Sequence, residues 1–336
     1  MTDQKQCIYW EDLDHVRPIL FMNILLTAIG SMSAEIVINK LREINNIQIT
    51  GCDIHPKEWL SNSGLVDNFY QIPKAKENPK YFVNTLKHIC LLQKINYIFP
   101  LTDPEIDAIN DNLDLFANFL SVLCMSSHVA IKACRDKYLL YNFFKNSKGV
   151  QTIPTYNYSE IADKVSIFPI IAKPRLGRSS EGVAYIKTIE SLTSIDSKHE
   201  YVFQPIIHGD VFTVDYVRDN YGNCFSIERK ELIRTSNGAG LSVEVQDNLE
   251  LKKIAKNIGD SLNVSGCINI EFIFDGNKYY LMDINPRFSA GVSFSVLSGY
   301  DMVANHLKCF MNLPIDKPIK YPTGIMKKSI TDIING

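Results

Sequence analysis

Short apolar runs alternate with amphipathic stretches in the first third of the chain. The runs at residues 22–26, 47–52 and 97–101 have the length and composition of buried strands, and the stretches at 34–44 and 104–119 have the apolar spacing of helices. Strand, loop and helix repeated in this order predict a parallel, doubly wound α/β sheet. Such sheets bind ligands at the carboxyl ends of their strands.

The residues at those strand ends are the first candidates for ligand contact: Gly30, Ser31, Asp53, Thr102 and Asp103. A dinucleotide site is disfavoured, because the run GSMSAE that begins at Gly30 lacks the second and third glycines of the GxGxxG fingerprint.

The pattern changes from about residue 134 onward. A helix is predicted from Arg135 to residue 145, and short apolar runs predict strands at 168–173, 183–186, 201–204 and 212–217. A further helix is predicted at 249–262 and a hairpin at 268–284. Strands and helices no longer alternate regularly, so this part is predicted to be α+β.

The predicted hairpin, GCINIEFIFDGNKYYLMDINPR, carries the strongest chemical signal. Side chains alternate between the faces of a strand, so Asn269 and Glu271 share one face, as do Asp283 and Asn285 on the return strand. A three-residue loop at 276–278 would set Glu271 opposite Asp283, Asn269 opposite Asn285, and Phe272 opposite Met282. One face would then be apolar and the other would carry the oxygen atoms.

Two facing carboxylates and an amide oxygen suit Mg²⁺, a hard ion that prefers oxygen ligands and bridges phosphate oxygens. Without a cation, Glu271 and Asp283 would repel each other across the strands. Arg287, in the following Asn-Pro-Arg, adds a cation for a carboxylate or a transferring phosphoryl group.

Lys173 ends the run FPIIAK and precedes a loop of small residues, which holds Gly177, Ser179, Ser180 and Gly182. A lysine at a strand end offers a point charge to phosphate oxygens, and a small-residue loop brings backbone N–H groups near them. The pattern is not that of a P-loop. Taken alone, it is more typical of an ordinary Gly-Ser hairpin with a basic neighbour.

The composition is that of a globular protein, with 336 residues, 46% hydrophobic and 21% charged, and a net charge of −2. The near-neutral charge and scattered basic residues argue against a nucleic-acid partner. The eight cysteines include no CxxC pair, so neither zinc nor a disulfide framework is expected, and a cytoplasmic location is predicted. No apolar run approaches the ~18 residues of a membrane span. Residues 1–21 do not have the pattern of a signal peptide and are treated as an N-terminal appendage of undecided role.

Taken in order, these segments resemble the ATP-grasp superfamily, and within it the branch of the carbamoyl phosphate synthase large subunit and its small single-unit relatives. The resemblance runs from about residue 22 to 321 and rests on MNILLTAIGS, YIFPLTDPE, RDK, IAKPRLGRSSEGV and IEF…MDINPR. It implies an ATP-grasp fold with a parallel-sheet pre-ATP-grasp domain at 22–130, a lid subdomain at 131–205 and a metal- and nucleotide-binding subdomain at 206–328.

The resemblance also implies roles for individual residues. Nucleotide contacts are implied for Lys173, Gly177, Ser179 and Ser180 at the phosphates, for Lys137 or Arg135 as a second cation, for Gln204, Pro205, Ile206 and Ile207 beside adenine, and for Asp210 or Asp215 at the ribose. Metal ligands are implied at Glu271, Asp283 and Asn285. Arg287 and Arg234 are implied at the reacting group.

The implied activity is an ATP- and Mg²⁺-dependent ligation of a carboxylate to an amine through an acyl-phosphate, with Mn²⁺ as the alternative ion. The other interpretations are a kinase of the same fold and a non-catalytic nucleotide-binding protein. A single nucleotide unit argues against carbamoyl phosphate synthesis, which uses two. Small-molecule substrates are the expected partners, with Arg234, Arg287 and Ser289 shaping the pocket. Many members of the family are homodimers, so a homodimer is left open.

Overall fold

The computed structural model describes residues 22–161, 164, 167–177, 181–195 and 200–329. The described residues form three β-sheets with helices packed against them. Residues 1–21 and the predicted phosphate-loop residues Ser179 and Ser180 lie outside the described part. Within that part, no helix is long and apolar enough to cross a bilayer.

The first sheet is parallel throughout, as the sequence predicts. Its strands are β1 Met22–Leu26, β2 Ile47–Asp53, β3 Asn68–Gln71, β4 Tyr97–Phe99 and β5 Val122–Leu123, and they lie in the order β3-β2-β1-β4-β5. The flanking helices are α1 Ala34–Arg42, α2 Pro79–Leu92 and α3 Asp103–Asn110. The central strand is buried at Ile24, Leu25 and Leu26, which is expected of a parallel sheet with helices on its faces.

Helix α3 is shorter than the predicted helix at 104–119. It stops at Asn110, and a 3₁₀ turn at Leu113–Phe116 follows. The run Asn110-Asp111-Asn112 explains the break, because these side chains compete for backbone hydrogen bonds. The amide of Asn112 donates to the Ala108 carbonyl at 2.8 Å.

The second sheet is small and antiparallel. It is preceded by helices α4 His128–Arg135 and α5 Lys137–Phe144, strand β6 Gln151–Thr152 and helix α6 Tyr158–Ile161. Its strands are β7 Ile170–Pro174, β8 Ala184–Ile186 and β9 Tyr201–Pro205, in the order β8-β7-β9. Ile170 and Ala172 are fully buried in the local core, so alternation along β7 directs Ile171 and Lys173 to the opposite face.

The third sheet is the largest. Its remaining strands are β10 Asp210–Arg218, β11 Cys224–Arg234, β12 Gly240–Gln246, β13 Gly266–Phe274, β14 Tyr279–Asn285 and β15 Gly324–Lys327, in the order β15-β12-β11-β10-β13-β14-β6. Neighbouring strands are antiparallel except for β14 and β6. The helices of this part are α7 Leu249–Ser261, α8 Val292–Leu297 and α9 Met302–Phe310.

Strand β11 is absent from the sequence prediction, because its run of charges is typical of an exposed segment. In the structure Glu228 is fully buried and Arg229 is only 2% exposed. Their partners come from distant residues: Glu228 accepts from Tyr321 at 2.7 Å, and Arg229 donates to Asp215 at 2.7 Å. Buried charges are retained when they are paired in this way.

One hydrophobic core joins the first sheet to the third. At this junction the Cys267 N–H donates to His306 Nδ1 at 2.8 Å, and His306 Nε2 lies 3.2 Å from the Cys124 carbonyl. Burial lowers the pKa of His306 to about 3, so the ring is neutral. The two contacts then require the proton on Nε2, and the ring links β13 to the end of β5.

Gly259 allows α7 to pack closely on β10. A Cβ at Gly259 would lie 2.5 Å from the ring carbon Cζ of Tyr216, which is 1% exposed. A Gly259→Ala substitution would gain about 1 kcal/mol of helix propensity. Overpacking of a rigid ring in a helix–sheet interface costs up to about 3 kcal/mol. We therefore expect a net loss of about 1–2 kcal/mol in the free energy of unfolding, measured by urea denaturation.

Gly64→Ala is the matched control. A Cβ at Gly64 has no atom within 4 Å, so this variant should unfold at the wild-type urea concentration or slightly above it. A stabilised Gly259→Ala variant would contradict the packing described for α7.

Candidate active site

A cavity of about 540 Å³ lies where the three sheets meet. Its lining contains many of the polar residues that the sequence singles out: Gly30, Ser31, Thr102 and Asp103 from the first sheet, Lys137, Lys173 and Gly177 from the lid side, and Arg234, Glu271, Asp283, Asn285 and Arg287 from the third sheet. Asp53 lies behind this wall, where its carboxylate accepts from the Gly30 N–H at 2.9 Å.

The two carboxylates of the predicted metal site face each other on paired strands. Glu271 is opposite Asp283, and Asn269 is opposite Asn285, as predicted. The predicted loop is wrong, however, because four residues separate Phe274 from Tyr279 rather than three. The longer loop sets Phe272 opposite Leu281, not Met282.

A β-bulge at Met282 restores the register of the carboxylates. Leu281 pairs with Phe272 and Asp283 pairs with Glu271. Met282 lies between them as an extra residue of β14 that has no partner on β13. Met282 and Asp283 both line the cavity, so the bulge turns Met282 out of the predicted apolar face. An apolar side chain thus lies directly beside the acidic pair.

Each carboxylate has a basic partner. Arg234 Nη2 donates to Glu271 Oε2 at 2.8 Å, and Arg234 Nε donates to the Gly238 carbonyl at 2.7 Å. Lys137 Nζ lies 3.5 Å from Asp283 Oδ1 and donates to the Gly177 carbonyl at 3.0 Å. Burial raises the pKa of Glu271, Arg234 opposes this effect, and Asp283 adds to it. The acidic pair therefore requires positive charge at the cavity wall.

Lys173 faces the same acids from β7. Burial lowers the pKa of Lys173; Asp283 and Glu271 raise it, and Lys137 lowers it. Lys173 thus lies within the electrostatic range of both carboxylates. In the described part of the chain, Lys173 forms no ion pair within 4 Å. Its ammonium group is therefore available to an anion in the cavity.

The donor set fits a hard divalent ion. The Asn285 amide nitrogen donates to Asn269 Oδ1 at 3.0 Å, and the Asn285 oxygen lies 3.5 Å from Arg287 Nη2. Two carboxylates and this amide oxygen match the preference of Mg²⁺, which keeps water in its remaining positions. Among all the described residues, this site included, no group of three or more His, Cys, Asp and Glu side chains could hold a metal ion, so the proposed ligand set depends on the amide oxygen of Asn285.

Arg287 is held by the first sheet. Its Nε and Nη2 donate to the two oxygens of Asp103 at 2.9 and 2.7 Å, and Asp103 is 1% exposed. Arg135 forms a similar bidentate pair with Asp107, at 2.9 Å for both contacts. Of the two candidate cations on the nucleotide side, Lys137 is therefore the one that touches the acidic pair.

The hinge residues Gln204, Pro205, Ile206 and Ile207 are absent from the lining of this cavity. Gln204 is 5% exposed, and its amide donates to Thr155 at 2.8 Å, behind the backbone of β9. The structure therefore does not bring the hinge side chains to the acidic pair.

The two candidate ribose acids differ in their surroundings. Asp210 pairs with Lys230 at 2.7 Å in an exposed position, and it does not line the cavity. Asp215 is 4% exposed and accepts from Arg229 at 2.7 Å and from Ser295 at 2.6 Å. Asp215 is thus already enclosed by internal partners.

Apart from Arg234, the cavity wall formed by β11 is not predicted from the sequence. Arg229 and Glu231 both line the cavity, and Arg229 also donates to Ser289 at 3.1 Å. The signal available in the sequence is their spacing of two residues. Charged residues at every second position of a strand lie on the same face and indicate a polar wall.

A family model for the ATP-grasp domain matches residues 134–291, which contain the lid, the acidic pair and the wall of β11. This region is an ATP-grasp domain. The carbamoyl phosphate synthase large chain of Thermoplasma volcanium is 26% identical over an aligned length of 162 residues, and the alignment covers 43% of this chain and 16% of the relative. The chain thus spans about a sixth of the length of this curated relative.

Solved ATP-grasp structures share the fold. N5-carboxyaminoimidazole synthetase from Staphylococcus aureus, complexed with ADP, superposes with a TM-score of 0.74 at 16% sequence identity. The superposition covers 92% of this chain and 82% of the synthetase chain. An L-amino acid ligase from Bacillus licheniformis superposes with a TM-score of 0.69 at 14% identity, covering 87% and 75%. At these identities the likeness shows the fold alone.

The arrangement around Lys173 in the ATP-grasp domain predicts opposite pKa shifts in two variants. Asp283→Asn removes a negative charge that raises the pKa of Lys173, so this pKa should fall further. Lys137→Met removes a like charge, so the pKa should rise. Titration of ¹³C-labelled lysine side chains by NMR measures both shifts.

Asp210→Asn is the control, because Asp210 pairs with Lys230 away from the cavity and should leave the pKa of Lys173 unchanged. Shifts in the same direction for Asp283→Asn and Lys137→Met would exclude the described arrangement of charges.

Proposed function

We propose that this protein uses ATP to join a small-molecule carboxylate to an amine through an acyl-phosphate. The observation that carries the proposal is the facing pair Glu271 and Asp283, which shares one cavity with Lys173, Lys137 and Arg287. An acidic pair for a metal ion and several cations for anionic groups are the requirements of phosphoryl transfer.

The relatives support this class of reaction. Their names describe a carbamoyl phosphate synthase, a carboxyaminoimidazole synthetase and an L-amino acid ligase, and one of these structures holds ADP. We extend to this chain only the general reaction, ATP-dependent ligation. The identity of the two substrates is left to the assay.

We assign the phosphates of ATP to the side of the cavity where Lys173 and Lys137 converge. A Mg²⁺ ion held by Glu271, Asp283 and Asn285 would neutralise charge on the phosphate oxygens. Adenine is assigned to the hinge at 204–207, where backbone groups rather than buried side chains would contact it. The enclosed position of Asp215 favours Asp210 as the ribose acid, after release from Lys230.

In the first step an oxygen of the substrate carboxylate attacks the γ-phosphorus, and ADP leaves. Before the second step an ammonium substrate releases one proton to solvent, and the neutral amine nitrogen then attacks the carbonyl carbon of the acyl-phosphate. The bond from this carbon to the bridging oxygen breaks, phosphate leaves with the electron pair, and the nitrogen loses a proton. Arg287, oriented by Asp103, and Arg234 stabilise negative charge on the reacting groups.

Water must be excluded, because it would hydrolyse the acyl-phosphate. The contacts that hold the lid come from α5: the Lys137 side chain donates to the Gly177 carbonyl, and the Lys137 N–H donates to the Arg175 carbonyl at 3.2 Å. Arg175 also pairs with Asp136 at 2.7 Å. These contacts attach the lid loop to the same lysine that reaches Asp283.

Substitution of the acidic pair or of Lys173 should abolish turnover. We expect Asp283→Asn, Glu271→Gln and Lys173→Ala each to reduce ADP release by about two orders of magnitude or more, because each removes charge from the phosphoryl-transfer site. ADP release is measured across a panel of amino acids and small carboxylates, singly and in pairs, with Mg²⁺ and with Mn²⁺.

Asp247→Asn is the matched control, since Asp247 pairs only with Lys252 among the described contacts and is half exposed. It should retain wild-type turnover. A stable phosphoester product would replace the ligase proposal with a kinase. ADP release that persists in all three site variants would reject the site assignment.

A further inference from the structure

The β11 wall of the cavity contains a carboxylate oxygen without a partner. The Glu231 side chain is 3% exposed and lines the cavity. Its Oε1 accepts from Arg229 Nε at 3.3 Å, whereas its Oε2 has no hydrogen-bond partner in the described part of the chain. A buried acceptor that is left unpaired destabilises the protein, so its retention in a ligand cavity indicates an external donor.

Three cations of this cavity already have internal partners. Arg287 pairs with Asp103, Arg234 with Glu271, and Lys137 with Asp283. Around Glu231, the positive charge of Arg229 is shared by two acids, Asp215 and Glu231. Two acids thus share one arginine, and the unpaired Oε2 of Glu231 remains an anionic hydrogen-bond acceptor, which attracts a cationic donor rather than an anion.

The local backbone creates the space for Oε2. The register between β11 and β12 shifts at Glu231 and Ile233, and such irregularities re-aim side chains at functional sites. Across the loop, Gly240 presents no side chain, and a Cβ there would overlap Oε2. A glycine at this position therefore leaves room for the carboxylate in its observed orientation.

Lys328 does not fill the position, although its charge interacts with that of Glu231. Lys328 donates to the carbonyl of Ala290, and among the described residues it has no ion pair with Glu231 within 4 Å. Glu231 is close to the acidic pair, since all three carboxylates line the same cavity. A donor bound at Oε2 would thus lie in the same chamber as the acidic pair.

We propose that Glu231 binds the amine substrate, with Oε2 accepting a hydrogen bond from the protonated amino group of an α-amino acid or a comparable primary amine. This assignment rests on the proposed ligase function, and it gives the cavity separate places for its two substrates. Arg287 and Arg234 face the anionic carboxylate and phosphate, and Glu231 faces the cationic amine.

Glu231→Gln tests the assignment with little change of shape. The glutamine oxygen can still accept from Arg229, while its NH₂ group replaces Oε2 and presents a donor to the ammonium group. Because Oε2 has no internal partner to lose, we expect the melting temperature to be at or above that of the wild type. Glu244→Gln on the neighbouring strand is the control, since Glu244 contacts Gln246 and does not line the cavity.

The first measurement is equilibrium binding and does not depend on turnover. The probes are L-amino acid amides, which carry the ammonium group without a carboxylate, and their N-acetylated counterparts, added with Mg²⁺ and ADP. At least one amide should bind the wild type and Glu244→Gln, and bind Glu231→Gln about ten- to a hundredfold more weakly. The acetylated probes should not bind. No amide binding to the wild type, or equal binding to Glu231→Gln, would overturn the proposal.

The second measurement separates the two proposals. Hydroxylamine replaces the amine and traps the acyl-phosphate as a hydroxamate without needing an ammonium site. Glu231→Gln should form hydroxamate at nearly the wild-type rate, while its KM for the amine rises about ten- to a hundredfold. Equal losses in both reactions would overturn the amine role. No hydroxamate from the wild type with any carboxylate would reject the ligase function instead, and the binding measurement would still decide whether Glu231 holds an ammonium group.

Discussion

The repulsion between Glu271 and Asp283 is the constraint on which this site depends. The two acids face each other on paired strands, and burial raises the pKa of Glu271, so the pair is stable only with positive charge beside it. That charge comes from Arg234 at the end of β11 and from Lys137 on α5. One electrostatic requirement thus brings helix α5 and the large sheet to the same point.

The bidentate pair between Arg287 and Asp103 gives the cavity its second fixed wall. The two residues are 184 positions apart in sequence, and Asp103 is nearly inaccessible to solvent. A buried pair of this kind is weak evidence for stability, but breaking it leaves an uncompensated buried charge. The first residue of α3, beside the first sheet, is therefore tied to the segment that follows the acidic pair, and the core around His306 holds the first and third sheets together.

The sequence predicted the parallel first sheet and the pairing of Glu271 with Asp283, because both follow from local periodicity. It placed the acids correctly although its loop was one residue too short, since the extra loop residue and the bulge at Met282 compensate for each other. Such compensation has no local signal. Strand β11 was missed for a related reason: the partner that makes the charge of Arg229 tolerable in a buried strand, Asp215, is set by tertiary pairing. The roles assigned to the site residues remain predictions.

The present partners of the acidic pair also bear on how ligands would bind. Arg234 and Lys137 now neutralise Glu271 and Asp283, and they are the same cations that the proposed reaction needs for its anions. If a divalent ion is held by the acids, it takes over this neutralising role, and both cations are released toward phosphate and carboxylate oxygens. In neither state are the two acids without a positive charge beside them, so the exchange avoids the large desolvation penalty of an isolated ion. Ion pairs formed without ligand thus hold the charged groups near the positions in which the nucleotide would use them.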